Sequence, residues 1–152
     1  MIDVVREPLQ VVSFDGHRVG AFLHRPPVMP APGLVMIPEI FGINLPLREI
    51  AARYANEGFV VLALDIFSRM ERDVDLDYDE AGHAKGRALH KAYDYDTGVK
   101  DMQAGISFLR ARPECNGKVG VVGFCLGGTM AYLATSRTDA EAAVGYYGTR
   151  IH

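Results

Sequence analysis

Cysteine is scarce in this sequence: Cys115 and Cys125 are the two in 152 residues. Their spacing makes neither a CxxC pair nor a zinc-ligand pattern, and two thiols do not make a disulfide scaffold. Basic residues are not in excess either. Sixteen Lys and Arg against 19 Asp and Glu leave a formal charge of −3, and without a basic face nucleic acid is excluded as an expected partner. The opening MIDVVREPLQ lacks the apolar core of a secretory leader, so no signal peptide is expected. The uncharged stretch 119–136 holds four glycines and a sharp turn, which argues against a membrane span. Repeats and low-complexity tracts are also lacking. What these absences leave is one cytoplasmic domain, residues 1–152, long enough to bury a sizeable core.

What is present is organised around residues 119–128, Val-Gly-Val-Val-Gly-Phe-Cys-Leu-Gly-Gly. A β-branched run leads into Gly123-Phe124-Cys125-Leu126-Gly127, and apolar residues at helical spacing continue to Ser136. Strand, sharp turn and helix with a reactive side chain at the apex match the nucleophile elbow G-x-Nu-x-G, with cysteine as the nucleophile. The turn is strained, so Gly123 and Gly127 let strand and helix pass without Cβ clashes. The first N–H groups of the helix point at the apex, which favours a thiolate and a developing oxyanion. Inert packing is the competing reading of a cysteine between glycines.

The rest of the chain reads as alternating elements. Residues 9–14 and 18–24 are strand-like, with Asp15-Gly16 as the hairpin signal between them. Residues 25–33 carry four prolines and read as a connector that cannot enter a sheet interior. Leu34-Val35-Met36-Ile37 is a short run of the kind buried on both faces of a parallel sheet, and Pro38-Glu39-Ile40-Phe41-Gly42 follows as a loop with a carboxylate. Residues 46–57 have helical spacing closed by Gly58, and 59–64 form the next buried strand, ending at Asp65. Residues 66–80 are acidic and irregular, the pattern of a surface loop. Helices are expected over about 80–92 and 96–110, and a last strand over 142–148. A hairpin followed by β-α-β-α-β-α-β predicts an α/β fold, a mostly parallel sheet with helices on both faces.

An elbow after the third parallel strand resembles the α/β-hydrolase plan. Pro38-Glu39-Ile40-Phe41-Gly42-Ile43-Asn44, Asp65-Ile66-Phe67-Ser68-Arg69, the elbow with its leading Asn116-Gly117-Lys118, and Ala143-Val144-Gly145-Tyr146-Tyr147-Gly148 together resemble the dienelactone hydrolases, or carboxymethylenebutenolidases. The resemblance runs from about residue 10 onward. It implies hydrolysis of an unsaturated cyclic ester through an acyl-enzyme on Cys125, with no metal or organic cofactor. Glu39 would face the Cys125 thiol and take its proton when substrate arrives. The backbone N–H groups of Ile40 and Leu126 would form the oxyanion hole. A small ester or lactone is the implied partner, with neither nucleic acid nor membrane.

This chain also departs from the family. The family's Asp and His, and an Arg that holds a substrate carboxylate, come from downstream of the strand ending here at Gly148, so they have no counterpart. The family's other carboxylate-binding Arg falls at His83, with Arg87 one helical turn later and able to do the same task, or to be a solvated charge. His17, His24, His83, His90 and His152 have no spacing that pairs them with Cys125, and Asp65 is expected to cap a helix or pair with Arg69. The expectation is therefore a C-terminally incomplete hydrolase domain whose last strands and helices are missing. Its unpaired strand around Val144 would be open to self-association. A general carboxylesterase and a non-catalytic truncated fragment are the alternatives.

Overall fold

The computed structural model describes residues 6–151, so His152 lies outside the described residues. In chain order the elements are β1 (Arg6–Val12), β2 (Arg18–His24), β3 (Ala31–Ile37), α1 (Leu45–Asn56), β4 (Val60–Leu64), α2 (Glu80–Ala92), α3 (Tyr95–Arg110), β5 (Cys115–Phe124), α4 (Leu126–Arg137) and β6 (Ala142–Tyr146). They build a six-stranded sheet in the order β1-β2-β4-β3-β5-β6. β1 and β2 form the expected antiparallel hairpin, and β2 pairs antiparallel with β4. The β4-β3, β3-β5 and β5-β6 pairs are parallel. The crossover between β4 and β5 carries two helices, α2 and α3.

Both sheet faces are covered. Leu47, Ala51 and Ala55 of α1 pack on Leu34, Met36, Val61 and Val122. On the other face Met102, Ile106 and Leu109 of α3 and Leu126, Met130 and Ala134 of α4 pack on Val35, Leu62 and Val121. β4 is buried at every position, as a continuous apolar run in a parallel sheet requires. Asn44 caps α1, its side chain accepting the Leu47 N–H at 3.2 Å, and Asp79 caps α2 through the Gly82 N–H at 2.7 Å. No helix among the described residues is long and apolar enough to cross a membrane.

Two sequence expectations are corrected. Residues 31–33 of the proline-rich connector belong to β3, a central strand, and Pro32 sits inside it. The β3–β5 register shifts between Ala31 and Gly33, and that irregularity accommodates a residue with no N–H to donate. The segment 66–80 is not simply a surface loop: Ile66, Phe67, Ser68 and Val74 are buried. Phe67 sets its ring edge-to-face on Tyr93, and the Val74 carbonyl accepts the Ile43 N–H at 3.1 Å. The Leu76 N–H donates to the Phe41 carbonyl at 2.9 Å, so this segment braces the loop after β3.

Candidate active site

Cys125 stands between β5 and α4 at φ +57°, ψ −114°, a conformation that L residues adopt only when the surroundings impose it. The surroundings are backbone. A Cβ on Gly123 would collide with the Gly127 carbonyl, and one on Gly127 would lie 2.7 Å from the Pro38 oxygen while colliding with that of Ile37. Strand end, helix start and the residues just before Glu39 therefore meet with no room for side chains. The Cys125 N–H donates to the Tyr146 carbonyl at 3.0 Å, which ties the apex to the end of β6.

Glu39 lies in the loop between β3 and α1. Its Oε2 accepts the Tyr78 hydroxyl and its Oε1 the Tyr147 hydroxyl, each at 2.9 Å. A small cavity of about 40 Å³ is lined by Glu39, Asn44, Tyr78, Phe124 and Tyr147. Among the described residues the Cys125 sulfur makes no hydrogen bond to Glu39, yet the two are electrostatically coupled. Burial first, and then the Glu39 charge, push the thiol above its ordinary range, opposed by the Leu126 N–H, which favours the thiolate. Gly42, at φ +72°, turns the loop where a Cβ would collide with the Val74 carbonyl. Ile40 is buried beneath α2, where a Cβ on Gly86 would come within 2.7 Å of the Ile40 oxygen.

The other expected site residues scatter. His83 holds the Asp79 carbonyl through Nδ1 at 2.7 Å and sets its ring edge-on to Phe41. Arg87 is exposed on α2 and makes no ion pair among the described residues. His17 meets the Ser68 hydroxyl at 3.1 Å. His24 is buried, with Nδ1 unpartnered, and burial followed by the Arg6 charge holds its pKa down to about 4. His90 pairs with the Tyr95 hydroxyl at 2.8 Å. Asp65 neither caps a helix nor pairs with Arg69: its carboxylate is buried and accepts the Asp73 N–H at 2.9 Å. Arg69 instead joins Asp15 and Asp101.

Sequence reasoning passed over Tyr78, Tyr95, Tyr147 and Arg150. Burial first, and then its hydrogen bond to Glu39, raises the Tyr147 phenol; burial raises the Tyr95 phenol against the Arg150 charge, which also lowers His90 behind the effect of burial. The Tyr146-Tyr147 pair at the end of the last strand was the available signal, whereas nothing in the acidic segment singles out Tyr78. Among the described residues no group of three or more His, Cys, Asp or Glu is placed to hold a metal. A wider cavity, about 520 Å³, lies elsewhere, between the β1–β2 hairpin and α1, against Arg6, Phe22, Arg48 and Asp65. Chemically, the elbow offers a strained, half-buried thiol with a carboxylate and helix N–H groups beside it.

A parallel-sheet core with a helix springing from a strained turn after β5 defines an α/β-hydrolase fold. The Pyrococcus horikoshii acylaminoacyl peptidase superposes with a TM-score of 0.69 at 18% identity, over 97% of this chain and 24% of that one, a likeness of fold alone. The chain belongs to the dienelactone hydrolase family, whose sequence model matches residues 19–152. It is 38% identical over 146 residues to the carboxymethylenebutenolidase of Pseudomonas putida and 34% identical to carboxymethylenebutenolidase 1 of Cupriavidus pinatubonensis. Each alignment covers 95% of this chain and 62% of the relative, so the chain spans about three fifths of their length. A dienelactone hydrolase-like promiscuous phosphotriesterase from metagenomic libraries superposes with a TM-score of 0.66 at 30% identity, covering 94% of this chain and 59% of that one.

Proposed function

We propose that Cys125 is the nucleophile of a hydrolase acting on a small cyclic ester of the dienelactone type. The observation that carries this reading is the Cys125 backbone at positive φ on the β5–α4 turn, where carbonyl oxygens crowd Gly123 and Gly127. The activity named for the Pseudomonas and Cupriavidus relatives supplies the substrate class.

In this reading the Cys125 S–H proton passes to the Glu39 carboxylate, and the sulfur attacks the lactone carbonyl carbon. The C=O electron pair moves to oxygen, held by the N–H groups of Ile40 and Leu126. Collapse of that intermediate breaks the ring C–O bond and leaves a thioester on Cys125, the ring oxygen leaving with the electron pair and taking the proton held by Glu39. Water then adds to the thioester carbon and the C–S bond breaks, giving the acid and returning the Cys125 thiol. The raised thiol makes the proton transfer a required step, because a protonated sulfur is a poor nucleophile. Arg87, or the α2 face it shares with His83, is the in-chain candidate to meet a substrate carboxylate.

A non-catalytic role is the second reading. Among the described residues no imidazole is hydrogen-bonded to Cys125 or to Glu39, and His17, His83 and His90 are engaged elsewhere. Hydrolysis of a dienelactone by the purified chain, beside a Cys125→Ala control and a panel of neutral aryl esters, separates the readings. Turnover of the anionic lactone that the control abolishes supports the lactonase. Preference for aryl esters supports a general carboxylesterase, and a folded chain with no turnover on either supports the second reading.

A further inference from the structure

The loop after β3 is stitched to the segment that follows β4. The Leu76 N–H donates to the Phe41 carbonyl at 2.9 Å and the Ile43 N–H to the Val74 carbonyl at 3.1 Å, with Gly42 and Asp75 paired antiparallel between them. Gly42 permits this closeness, since a Cβ there would collide with the Val74 carbonyl. Asn44 is buried at the end of the stitch and uses both halves of its amide. Oδ1 accepts the Leu47 N–H at 3.2 Å, and Nδ2 donates to the Leu76 carbonyl at 3.2 Å. The cap on α1 needs only an oxygen, which Ser, Thr or Asp could supply. The bond to Leu76 is what the asparagine amide adds.

The stitched loop carries the backbone of the site. The Gly42 N–H donates to the Glu39 carbonyl at 3.3 Å. That carbonyl and the Ile40 N–H belong to one planar peptide and point opposite ways, so fixing the first aims the second. On either side of this peptide the Ile37 and Pro38 carbonyls abut Gly127 of the elbow helix, and the Ile40 carbonyl abuts Gly86 of α2. We propose that Asn44 is a positioning residue: by latching the 74–76 segment to this loop, it holds the Ile40 N–H where an oxyanion forms. This rests on the reading that Cys125 attacks an ester whose carbonyl oxygen that N–H receives. A backbone donor stabilises such an oxygen only when it is aimed before the charge develops. A loosened latch therefore slows addition to a carbonyl and leaves the thiol as reactive as before toward a reagent that builds no oxyanion.

The test sets two reactions of Cys125 side by side. Acylation by p-nitrophenyl acetate forms the S–C bond at a carbonyl carbon, places charge on the carbonyl oxygen and expels p-nitrophenolate. Alkylation by iodoacetamide forms the S–C bond at a saturated carbon and expels iodide, with no oxyanion. Peptide mass mapping follows both and separates Cys125 from Cys115, and neither needs turnover. Asn44→Ser keeps an oxygen for the α1 cap but is too short to reach Leu76. It is expected to acylate about tenfold more slowly than wild type while alkylating within about twofold of it. Gly42→Ala, which drives the loop off Val74, is expected to show the same split more strongly, and if it does not fold, Asn44→Ser alone decides. Equal slowing of both reactions in Asn44→Ser would mean a merely structural role, and unchanged acylation would mean the latch does not aim the donor; either overturns the proposal. Wild type that alkylates at Cys125 without acylating there refutes the functional reading and the proposal together. An acylated wild type matched in rate by Asn44→Ser refutes the proposal alone.

Discussion

Gly123 and Gly127 approach so closely that the carbonyl oxygen of Gly127 occupies the space a Cβ on Gly123 would need. The atom in the way is backbone of the first turn of α4, which cannot swing aside as a flexible side chain could. Gly123→Ala is therefore expected to cost on the order of 3 kcal/mol or more in urea unfolding, or to prevent folding. Gly117→Ala is the informative control. Gly117 has open space around its Cβ position and only its positive φ to strain, so about 1 kcal/mol is expected there.

Asp65 and His24 act on stability in opposite directions over almost the same pH range. Burial raises the Asp65 carboxyl from 3.8 to about 6, so the folded state holds a proton that the unfolded chain releases. Stability from this group falls as pH rises from about 4 to about 6. Burial lowers His24 from 6.5 to about 4, so here the unfolded chain binds the extra proton, and stability rises as pH goes from about 4 to about 6.5. Each amounts to roughly 2–3 kcal/mol, and wild type is expected to show a shallow net dependence. Asp65→Asn, which keeps an acceptor for the Asp73 N–H, should unmask a stability that climbs with pH. His24→Gln should unmask one that declines. Denaturant midpoints between pH 4 and 7 check both signs.

Arg69 bridges Asp15 of the hairpin turn and Asp101 of α3, whose side chain is 9% exposed and also accepts the Ser13 hydroxyl. Arg69→Ala strands a buried carboxylate and is expected to cost about 2–4 kcal/mol in urea unfolding. Arg137→Ala removes a pair with Asp96, which is 75% exposed, and is expected to cost under about 1 kcal/mol.

β6 pairs with β5 on one side; Val144 within it is 51% exposed and Tyr147, just past its end, 63%. An apolar cavity of about 350 Å³ opens beside it, lined by Tyr54, Phe59, Val122, Val144 and Tyr146. An exposed strand edge of this kind recruits further strands. Concentration-dependent association is expected in sedimentation velocity, and Val144→Lys is expected to weaken it at least severalfold. A chain that stays monomeric at high concentration removes this edge from the account.

The elbow and the alternation of elements were legible in the sequence because both rest on local chemistry: glycine spacing around Cys125, β-branched runs, and helical periodicity in residues 96–110. Strand β2 and the two helices of the β4–β5 crossover fell within a residue or so of expectation for the same reason. Pro32 was misread because a register shift between two strands, which no local pattern reports, admits it to a central strand. The burial of Phe67 and Val74 was hidden by the acidic residues around them. Glu39 was visible in the sequence as a loop carboxylate, but its hydrogen-bond partners were not. Tyr78 and Tyr147 meet it only through the fold, and a lone tyrosine has no spacing that marks it.

The central claim is that Cys125 carries the acyl group. It is tested most directly by brief reaction of the chain with an activated ester, acid quench, and mass spectrometry of the digested protein. An acyl adduct is expected on the peptide containing Cys125, lost in Cys125→Ala and unaffected by Cys115→Ala. An adduct on Cys115 alone, or equal acylation in the Cys125→Ala chain, would contradict it.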